Sequence, residues 1–404
     1  MPEPVIVAAA RSPIGRAFKG SLAEVRPDDL AAEIVKAALA RVPQLDPGEI
    51  NDLMLGCGLP GGEQGFNMGR VVSVLAGLPD VPGCTITRYC ASSLQTIRMA
   101  AHAIKAGEGD AFVAAGVEMV SRFVKGNSDS LPDTMNPHFT VAGERTAERT
   151  QGGAPDWTAA PAGLPDIYIA MGQTAENVAE AEDVSRDEMD RFALRSQQRA
   201  VASQRDGFFD REITPVNLPD GRTVAADDGP RPSTSMEKLA DLKPVFRPDG
   251  RVTAGNACPL NDGAAAVIVM SDARARELGI TPLARIVATG LTALNPEIMG
   301  LGPIEASRQA LKRAGMTIDD IDLVEINEAF AAQVIPCARH LGIGWDKLNV
   351  HGGAIALGHP FGMTGARIMN TLLNGLQSTG QTIGLETMCV GGGQGMAMIV
   401  ERLS

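Results

Sequence analysis

Cys90 is the cysteine best placed for chemistry in this sequence. It follows an extended run over residues 84–89 and precedes a helix predicted over residues 91–106. Unpaired backbone N–H groups and the helix dipole stabilise a thiolate at such a helix start, so we expect a thiol pKa below its usual value of about 8.5. A buried structural cysteine is the alternative interpretation at this point.

His359 stands in a glycine-rich segment, NVHGGAIALGHPFG, over residues 349–362. Glycines permit close approach of the backbone to other groups. An imidazole just before a second predicted helix could serve as the base for a thiol nucleophile. A lone histidine is more often structural, so this hypothesis needs a feature that brings His359 to Cys90.

Two more loops carry groups suited to catalysis. Cys389 and Gly391 belong to CVGGGQG, which joins two apolar strands and opens no helix. Its backbone N–H groups therefore suit an oxyanion better than a dinucleotide phosphate. Asn327 begins NEAFAAQ at the carboxyl end of a predicted strand, where α/β folds place functional loops. A helix N-cap is the alternative interpretation for Asn327.

The elements that would position these residues occur twice in the chain. A helix, an acidic turn and a strand lead to Ile50 and its surroundings, and the same order recurs around Ile321, an offset of 321 − 50 = 271. The same offset carries the helix after Cys90, and the strand that follows it, onto second copies. We infer an internal duplication. Packing of the halves about a pseudo-twofold axis would bring His359 to Cys90.

Alternating strand-like and helix-like runs predict an α/β fold for this chain of 404 residues, which is too long for one ordinary core. We assign residues 1–121 together with 253–278 to the N-terminal half and residues 279–404 to the C-terminal half. Residues 122–252, with many Pro, Gly, Asp and Arg residues and two predicted helices, form an inserted loop domain.

Composition excludes several classes of function. The net charge of −12 argues against nonspecific nucleic-acid binding. No apolar run approaches the roughly 18 residues of a membrane span. The six cysteines include no CxxC pair, which fits a reducing, cytoplasmic setting, and no metal is expected.

Together these motifs resemble the thiolase family over essentially the whole chain. RYCASS around Cys90, NEAFA from Asn327, GGAIALGHP up to Pro360 and CVGGG from Cys389 occur in the family's order and spacing. The resemblance implies a duplicated, five-layered α-β-α-β-α fold with an inserted loop domain.

The resemblance also implies roles for the motif residues. Cys90 would be the acylated nucleophile, His359 would activate it, and Cys389 would be the second acid/base. Asn327 would hold a water that completes an oxyanion hole with His359. The backbone N–H groups of Cys90 and Gly391 would form the other hole.

Coenzyme A is implied as a substrate along the inserted domain, and no cofactor is expected to be bound permanently. The implied contacts are Arg231 near the phosphates, Phe246 beside the adenine, Cys258 near the pantetheine arm, Met299 at the acyl end, and Met171. Three positions depart from the family pattern and leave the contacts to coenzyme A in doubt. Cys258 stands where serine is more common, Lys238 replaces a small polar residue, and His351 replaces an asparagine.

The choice of activity depends on two local features. Ala170 stands where short-chain acetoacetyl-CoA thiolases usually have histidine, and YCASS resembles the degradative enzymes. We therefore expect a 3-oxoacyl-CoA thiolase (acetyl-CoA C-acyltransferase) of the type used in fatty-acid β-oxidation, assembled as a homodimer or homotetramer.

Four alternatives stay open at this point. The first is a short-chain acetyl-CoA C-acetyltransferase that makes acetoacetyl-CoA. The others are an acyl-carrier-protein condensing enzyme, a cysteine hydrolase and a noncatalytic acyl-CoA-binding relative. Cys389 in its glycine loop argues against the condensing enzyme, and the hydrolase gives it no role.

Overall fold

The computed structural model describes residues 2–126, 129, 133–159 and 163–404. The strands are β1 Pro4–Arg11, β2 Gly15–Arg16, β3 Asp52–Gly56, β4 Gly83–Ile86, β5 Ala111–Met119, β6 Val216–Asn217, β7 Thr223–Val224, β8 Asn261–Ser271, β9 Ala284–Ala293, β10 Leu323–Ile326, β11 Ile383–Val390 and β12 Gln394–Arg402. The helices are α1 Pro27–Ala40, α2 Met68–Leu75, α3 Ser92–Ala106, α4 Thr140–Arg149, α5 Met171–Ala181, α6 Arg186–Arg205, α7 Met236–Ala240, α8 Asp272–Glu277, α9 Gly302–Ala314, α10 Ala331–Leu341, α11 Ala354–Leu357 and α12 Thr364–Thr379. No helix in the described ranges is long and apolar enough to cross a bilayer.

The strand order shows the duplication directly. The large sheet runs β10-β11-β12-β9-β1-β8-β5-β3-β4, with β2 beside β8. Reading outward from the middle, β1, β8, β5 and β3 of one half match β9, β12, β11 and β10 of the other. The halves join where β1 and β9 pair antiparallel, Val5 with Arg285 and Ile6 with Ala284. The predicted duplication is confirmed, and its pseudo-twofold axis passes between these two strands.

The two half-sheets and three groups of helices form five layers, and three apolar cores fill the space between them. One core lies between the N-terminal half-sheet and α1 and α2, and includes Leu30 and Ile34. A central core holds α3 and α12 between the half-sheets, and includes Leu94 and Leu372. The third lies between the C-terminal half-sheet and α9 and α10, and includes Leu341. The predicted α-β-α-β-α architecture is therefore confirmed.

The two central helices touch close to their N-terminal ends. A Cβ atom on Gly365 of α12 would lie 2.3 Å from the backbone nitrogen of Leu94 in α3. The Ala366 N–H donates to the Ser93 hydroxyl at 2.9 Å. Since 365 − 94 = 271, the contact joins equivalent residues and lies on the pseudo-twofold axis. As predicted, the starts of the matching helices face each other.

The inserted segment packs mainly on the C-terminal half. Its helices α5 and α6 bury Ala175, Val178 and Phe192 against the outer side of that half, where α10 lies. Ser185 and Glu188 form a capping box that starts α6. Both helices were predicted; α4 and α7 were not. The domain boundaries given above stay a prediction.

Candidate active site

Cys90 lies in a strained turn just before α3. The turn spans Tyr89–Ala91, and α3 begins at Ser92, one residue later than predicted. Tyr89 has φ +40°, a left-handed conformation that side chains rarely adopt. The Ser92 hydroxyl holds the turn, since it accepts from the Arg88 N–H at 2.9 Å and donates to the Tyr89 carbonyl at 2.7 Å. These contacts fix the backbone on both sides of the turn, and Cys90 is buried, with only 7% of the residue exposed.

The surroundings of the Cys90 thiol favour its neutral form. Burial raises its pKa to about 11, although backbone N–H groups of Gly391 and of Cys90 itself partly oppose this. The expected lowering of the pKa was therefore wrong. The helix begins beyond Cys90, and loss of hydration costs a thiolate more than two N–H groups return.

His359 is held in one tautomer. Its Nδ1 lies 2.6 Å from the hydroxyl of Thr364, which itself donates to the Pro360 carbonyl at 2.7 Å. Because the hydroxyl proton is already used, Nδ1 must carry a proton and donate it. Burial and, to a smaller extent, the charge of Arg367 lower the pKa of His359 to about 3. Nε2 is therefore an unprotonated acceptor. The sequence analysis did not identify Thr364, whose signal is its spacing of four residues after Pro360.

Asn327 follows β10 and faces His359. Its Nδ2 lies 3.3 Å from His359 Nε2. Its buried Oδ1 has no hydrogen-bond partner among the described residues, which suits a donor such as water. The N-cap interpretation for Asn327 was wrong, because α10 begins at Ala331 and Phe330 is its cap.

Cys389 is fully buried near the end of β11, opposite Gly395 of β12. Its Sγ lies 3.7 Å from the side-chain amide of Gln333. Burial raises the pKa of Cys389 well above its usual value, and the nearby thiols of Cys90, Cys337 and Cys258 add to the effect. Cys389 is thus a neutral thiol beside Cys90, and it holds a proton that it can donate.

Gly391 starts the turn between β11 and β12. A Cβ atom there would lie 3.2 Å from Cδ2 of Tyr89 and 3.7 Å from Sδ of Met171. Gly392 and Gly393 both have φ near +80°, at +77° and +78°. The turn therefore needs glycines, and its first N–H reaches Cys90.

The residues implied as coenzyme A contacts differ in their location and in their burial. Met171 borders the Gly391 turn, and Cys258 adjoins the thiols of Cys90 and Cys389. Arg231 and Phe246 lie on the inserted segment: Arg231 is exposed, and the Phe246 ring lies 6.2 Å from that of Phe330. Met299 is 1% exposed and packs in the outer core of the C-terminal half.

Two of the departures from the family pattern have local partners. The ammonium of Lys238 donates to the Ser233 carbonyl at 2.7 Å. The His351 ring stacks on Phe208 with 3.5 Å between centroids, and its Nδ1 lies 3.1 Å from the Ser203 hydroxyl. Burial lowers the pKa of His351 to about 4, so it is a neutral packing residue.

These groups together can transfer an acyl group and protons. A neutral imidazole can accept a proton at Nε2, a neutral buried thiol can donate one, and an N–H group reaches the second thiol. The described residues contain no cluster of three or more side chains suited to a metal ion.

Both the sequence and the fold are similar to those of known proteins. A family model described as "Thiolase, N-terminal domain" matches residues 4–273, and one described as "Thiolase, C-terminal domain" matches residues 280–402.

Similar curated proteins include a beta-ketoadipyl-CoA thiolase of Acinetobacter baylyi, 43% identical over 98% of this chain and 99% of its own. A 3-ketoacyl-CoA thiolase of Bacillus subtilis is also 43% identical, over 99% of this chain and 100% of its own. The crystal structure of the Bacillus anthracis acetyl-CoA acetyltransferase matches with a TM-score of 0.86 and 38% identity, and covers 100% of this chain and 99% of its own.

Proposed function

The chain belongs to the thiolase family, and from this premise we propose that it cleaves 3-oxoacyl-CoA with coenzyme A, giving acetyl-CoA and a shortened acyl-CoA. One observation carries the proposal, the grouping of three reactive side chains. Cys389, with its proton retained, lies beside Cys90, and Gln333 connects Cys389 to Asn327, the neighbour of His359, whose Nε2 is free of a proton. Thiolysis needs one base, one acid and one nucleophile, and these three side chains supply them.

In the first step Cys90 attacks the 3-oxo carbon of the substrate. Because the thiol rests neutral, it must lose its proton as it attacks, and His359 Nε2 accepts that proton. The backbone N–H groups of Cys90 and Gly391 stabilise the oxyanion that forms.

In the second step the bond between carbons 2 and 3 of the substrate breaks. The fragment left on Cys90 becomes an acyl thioester, and the other fragment leaves as the enolate of acetyl-CoA. Asn327 and His359 stabilise the enolate oxygen, the former through a water held at its unpartnered Oδ1. Cys389 donates its proton to carbon 2, and acetyl-CoA leaves.

The remaining steps return the enzyme to its starting state. The Cys389 thiolate takes the proton from coenzyme A, whose sulfur attacks the acyl group on Cys90. The Cys90 thiolate leaves and recovers its proton from His359. Coenzyme A is therefore a substrate, and no permanently bound cofactor takes part. Arg231 and Phe246 on the inserted segment, together with Cys258, are its proposed contacts.

Ala170 supports an acyl chain longer than acetoacetyl. It is exposed as the N-cap residue of α5, next to Met171, which borders the Gly391 turn. A methyl group at this position occupies less space beside the acyl thioester than the histidine of the short-chain enzymes would.

A second candidate substrate is a 3-oxoacyl-CoA whose chain ends in a carboxylate. It is favoured by the beta-ketoadipyl-CoA thiolases among the relatives, which are as similar to this chain as the 3-ketoacyl-CoA thiolase is. The third candidate, synthesis of acetoacetyl-CoA, is favoured by the match to the acetyl-CoA acetyltransferase structure.

A substrate panel tests these possibilities. We expect the highest kcat/KM in thiolysis for 3-oxoacyl-CoAs longer than acetoacetyl-CoA, with label from the acyl group trapped on Cys90 and absent in Cys90→Ala. A clear preference for 3-oxoadipyl-CoA or acetoacetyl-CoA would identify that compound as the substrate, in place of the longer 3-oxoacyl-CoAs. Absence of an acyl-enzyme with every substrate would contradict the proposed reaction.

A further inference from the structure

The segment that carries His359 is held at both ends by buried carboxylates. We call residues 349–362 the histidine loop. Over most of its length it forms no long helix or strand, so its position depends on side-chain contacts. Glu328 lies at the first end of the loop and Glu118 at the second, and both are 0% exposed.

Glu328 organises the first half of the loop. Its carboxylate accepts from the Ser196 hydroxyl at 2.6 Å, from Asn349 Nδ2 at 2.8 Å and from the Ile355 N–H at 3.1 Å. Ser196 in turn accepts from the Gly353 N–H at 3.1 Å. These contacts end four residues before His359.

Glu118, at the end of β5 in the N-terminal half, fixes the part of the loop that follows His359. Its Oε2 accepts from the Gly58 N–H at 2.6 Å and from the Gly362 N–H at 2.8 Å. Its Oε1 accepts from Gln64 Nε2 at 2.7 Å and from the Leu59 N–H at 3.3 Å. One carboxylate therefore joins the histidine loop to two segments of the opposite half.

Gly362, whose N–H group Glu118 binds, lies only three residues after His359 in the chain, so its position affects that of His359. A Cβ atom on Gly362 would lie 2.2 Å from the Val117 carbonyl, so the loop backbone rests directly on β5. Between the two residues, the Phe361 ring packs edge-on against His359 with centroids 5.2 Å apart. A displacement of Gly362 would therefore move the imidazole.

Glu118 and Cys389 are at equivalent positions in the two halves of the internal duplication. Since 389 − 271 = 118, Glu118 occupies in the N-terminal half the position that Cys389 occupies in the C-terminal half. Cys389 lies beside the turn that carries Cys90, and Glu118 lies beside the loop that carries His359. In each half, the residue at this strand position therefore lies next to a catalytic segment of the other half.

We propose that Glu118 is a positioning residue that holds His359 at the distance and angle needed to take the proton of Cys90. The inference rests on the proposed role of His359. Glu118 forms no hydrogen bond with Cys90, His359 or Cys389 among the described residues. It acts on His359 through Gly362, and its charge also raises the pKa of Cys90. Its Oε2 accepts two hydrogen bonds and its Oε1 three, the third from the Cys57 thiol at 3.7 Å, so a glutamine would place an NH2 group against at least two donors in either orientation.

The test compares Glu118→Gln with Glu63→Gln. Glu63 is a nearby carboxylate that binds Arg122 at 2.7 Å and makes no contact with the histidine loop among the described residues. For Glu118→Gln we expect kcat per titrated active site to fall about 10- to 100-fold with little change in KM, because small misplacements of a catalytic group cost about this much. Alkylation of Cys90 by iodoacetamide should slow as well, although by a smaller factor, because loss of the Glu118 charge, which raises the pKa of Cys90, favours the thiolate. Glu63→Gln should match the wild type in both.

The alkylation rate separates this proposal from the proposed reaction, since it needs no thiolase substrate. Slower alkylation in both His359→Ala and Glu118→Gln would support the positioning role even if the wild type cleaved no 3-oxoacyl-CoA. If Glu118→Gln does not fold, Glu118→Asp keeps the acceptor oxygens on a shorter side chain and should give an intermediate alkylation rate. A folded Glu118→Gln or Glu118→Asp enzyme with wild-type alkylation and wild-type kcat per active site would overturn the proposal.

Discussion

The proposed catalytic residues start the reaction uncharged. Burial raises the pKa of Cys90 to about 11 and lowers that of His359 to about 3, so at neutral pH the proton remains on the thiol. An ion pair formed before the substrate arrives would need hydration that this buried site does not offer. In the proposed reaction, proton transfer therefore accompanies attack on the substrate, and we expect the orientation of His359 to decide how fast the thiol reacts.

Some residues of the site were accessible to sequence reasoning and others were not. Cys90, His359, Asn327 and Cys389 stand in motifs of unusual composition, and the structure places Asn327 beside His359 and Cys389 beside Cys90. Thr364 and Glu118 are ordinary residues in the sequence, and they matter only through contacts that folding creates. The offset that pairs Glu118 with Cys389 was visible, but it does not reveal that the carboxylate faces the opposite half.

Glu325, Glu386 and Arg367 form a buried charged cluster below the site. Glu325 and Glu386 are neighbours in register on β10 and β11, and Arg367 of α12 is their nearby cation. Burial is the main reason that the pKa of Glu325 is raised to about 8; Arg367 opposes the rise, and Glu328 and Glu212 add to it. At neutral pH Glu325 is therefore mostly protonated in the folded protein.

We predict that Glu325→Gln makes stability less dependent on pH. A carboxyl whose pKa is raised on folding contributes stability that is complete below its unfolded pKa, about 4.3, and is lost as pH rises through its folded value. For Glu325 that loss begins near pH 4.3 and levels off above about pH 8. The free energy of unfolding in urea, measured from pH 6 to 9, should fall less in the variant than in the wild type.

The control for this prediction is Glu305→Gln. Glu305 is exposed and pairs with Arg308 on the surface of α9, so it should leave the wild-type slope unchanged. An equal slope in Glu325→Gln and the wild type would show that Glu325 is ionised in the folded protein.

At the scale of secondary-structure elements, the site depends on two helices, α3 and α12, that touch each other close to their N-terminal ends. Neither α3 nor α12 carries the whole site, since Cys90 precedes one and His359 precedes the other. Their shared contact at Gly365 and Leu94 therefore sets how far apart these two residues lie. Sequence periodicity predicted both helices and their register. It missed α4 and α7, whose short polar stretches resemble loops.

We predict that Gly365→Ala is strongly destabilising although alanine is the better helix former. The new Cβ would meet backbone and Cβ atoms of Leu94 at 2.3 and 2.7 Å, so the two helices must separate. Overpacking of this kind costs about 1–3 kcal/mol. The free energy of unfolding should fall by this amount. The rate of thiolysis per folded enzyme should also fall, because separation of the helices moves His359 away from Cys90.

Gly143→Ala provides the matched helical control. Gly143 lies within α4, and nothing lies within 4 Å of its Cβ position. The substitution should raise stability by roughly 0.5–1 kcal/mol, the usual difference between the two residues in a helix. If Gly365→Ala were as stable as Gly143→Ala, the central helices would not be in close contact.

At the scale of the whole molecule, one edge of the large sheet is open. Strand β4 pairs with β3 and with no further strand in the described part of the chain. Beside it stand exposed apolar side chains: Phe66 is 95% exposed, Val74 50% and Leu75 39%. Asn67, next to Phe66, donates to the Gly83 carbonyl of β4 at 2.9 Å, which places Phe66 near that edge. An unpaired edge with apolar neighbours favours pairing with another chain.

We predict that the protein is a homo-oligomer and that Phe66→Glu weakens its assembly. Burial of a phenylalanine side chain contributes about 1.5–3 kcal/mol, so the dissociation constant should rise by about 10- to 100-fold or more. Light scattering at several protein concentrations should give a wild-type mass that is a multiple of 42.2 kDa, and a lower mass for the variant at the same concentration. Val141→Glu is the control, because Val141 is 66% exposed on α4 in the inserted segment. A monomeric wild type, or equal masses for Phe66→Glu and the wild type at every concentration, would show that this edge is not an interface.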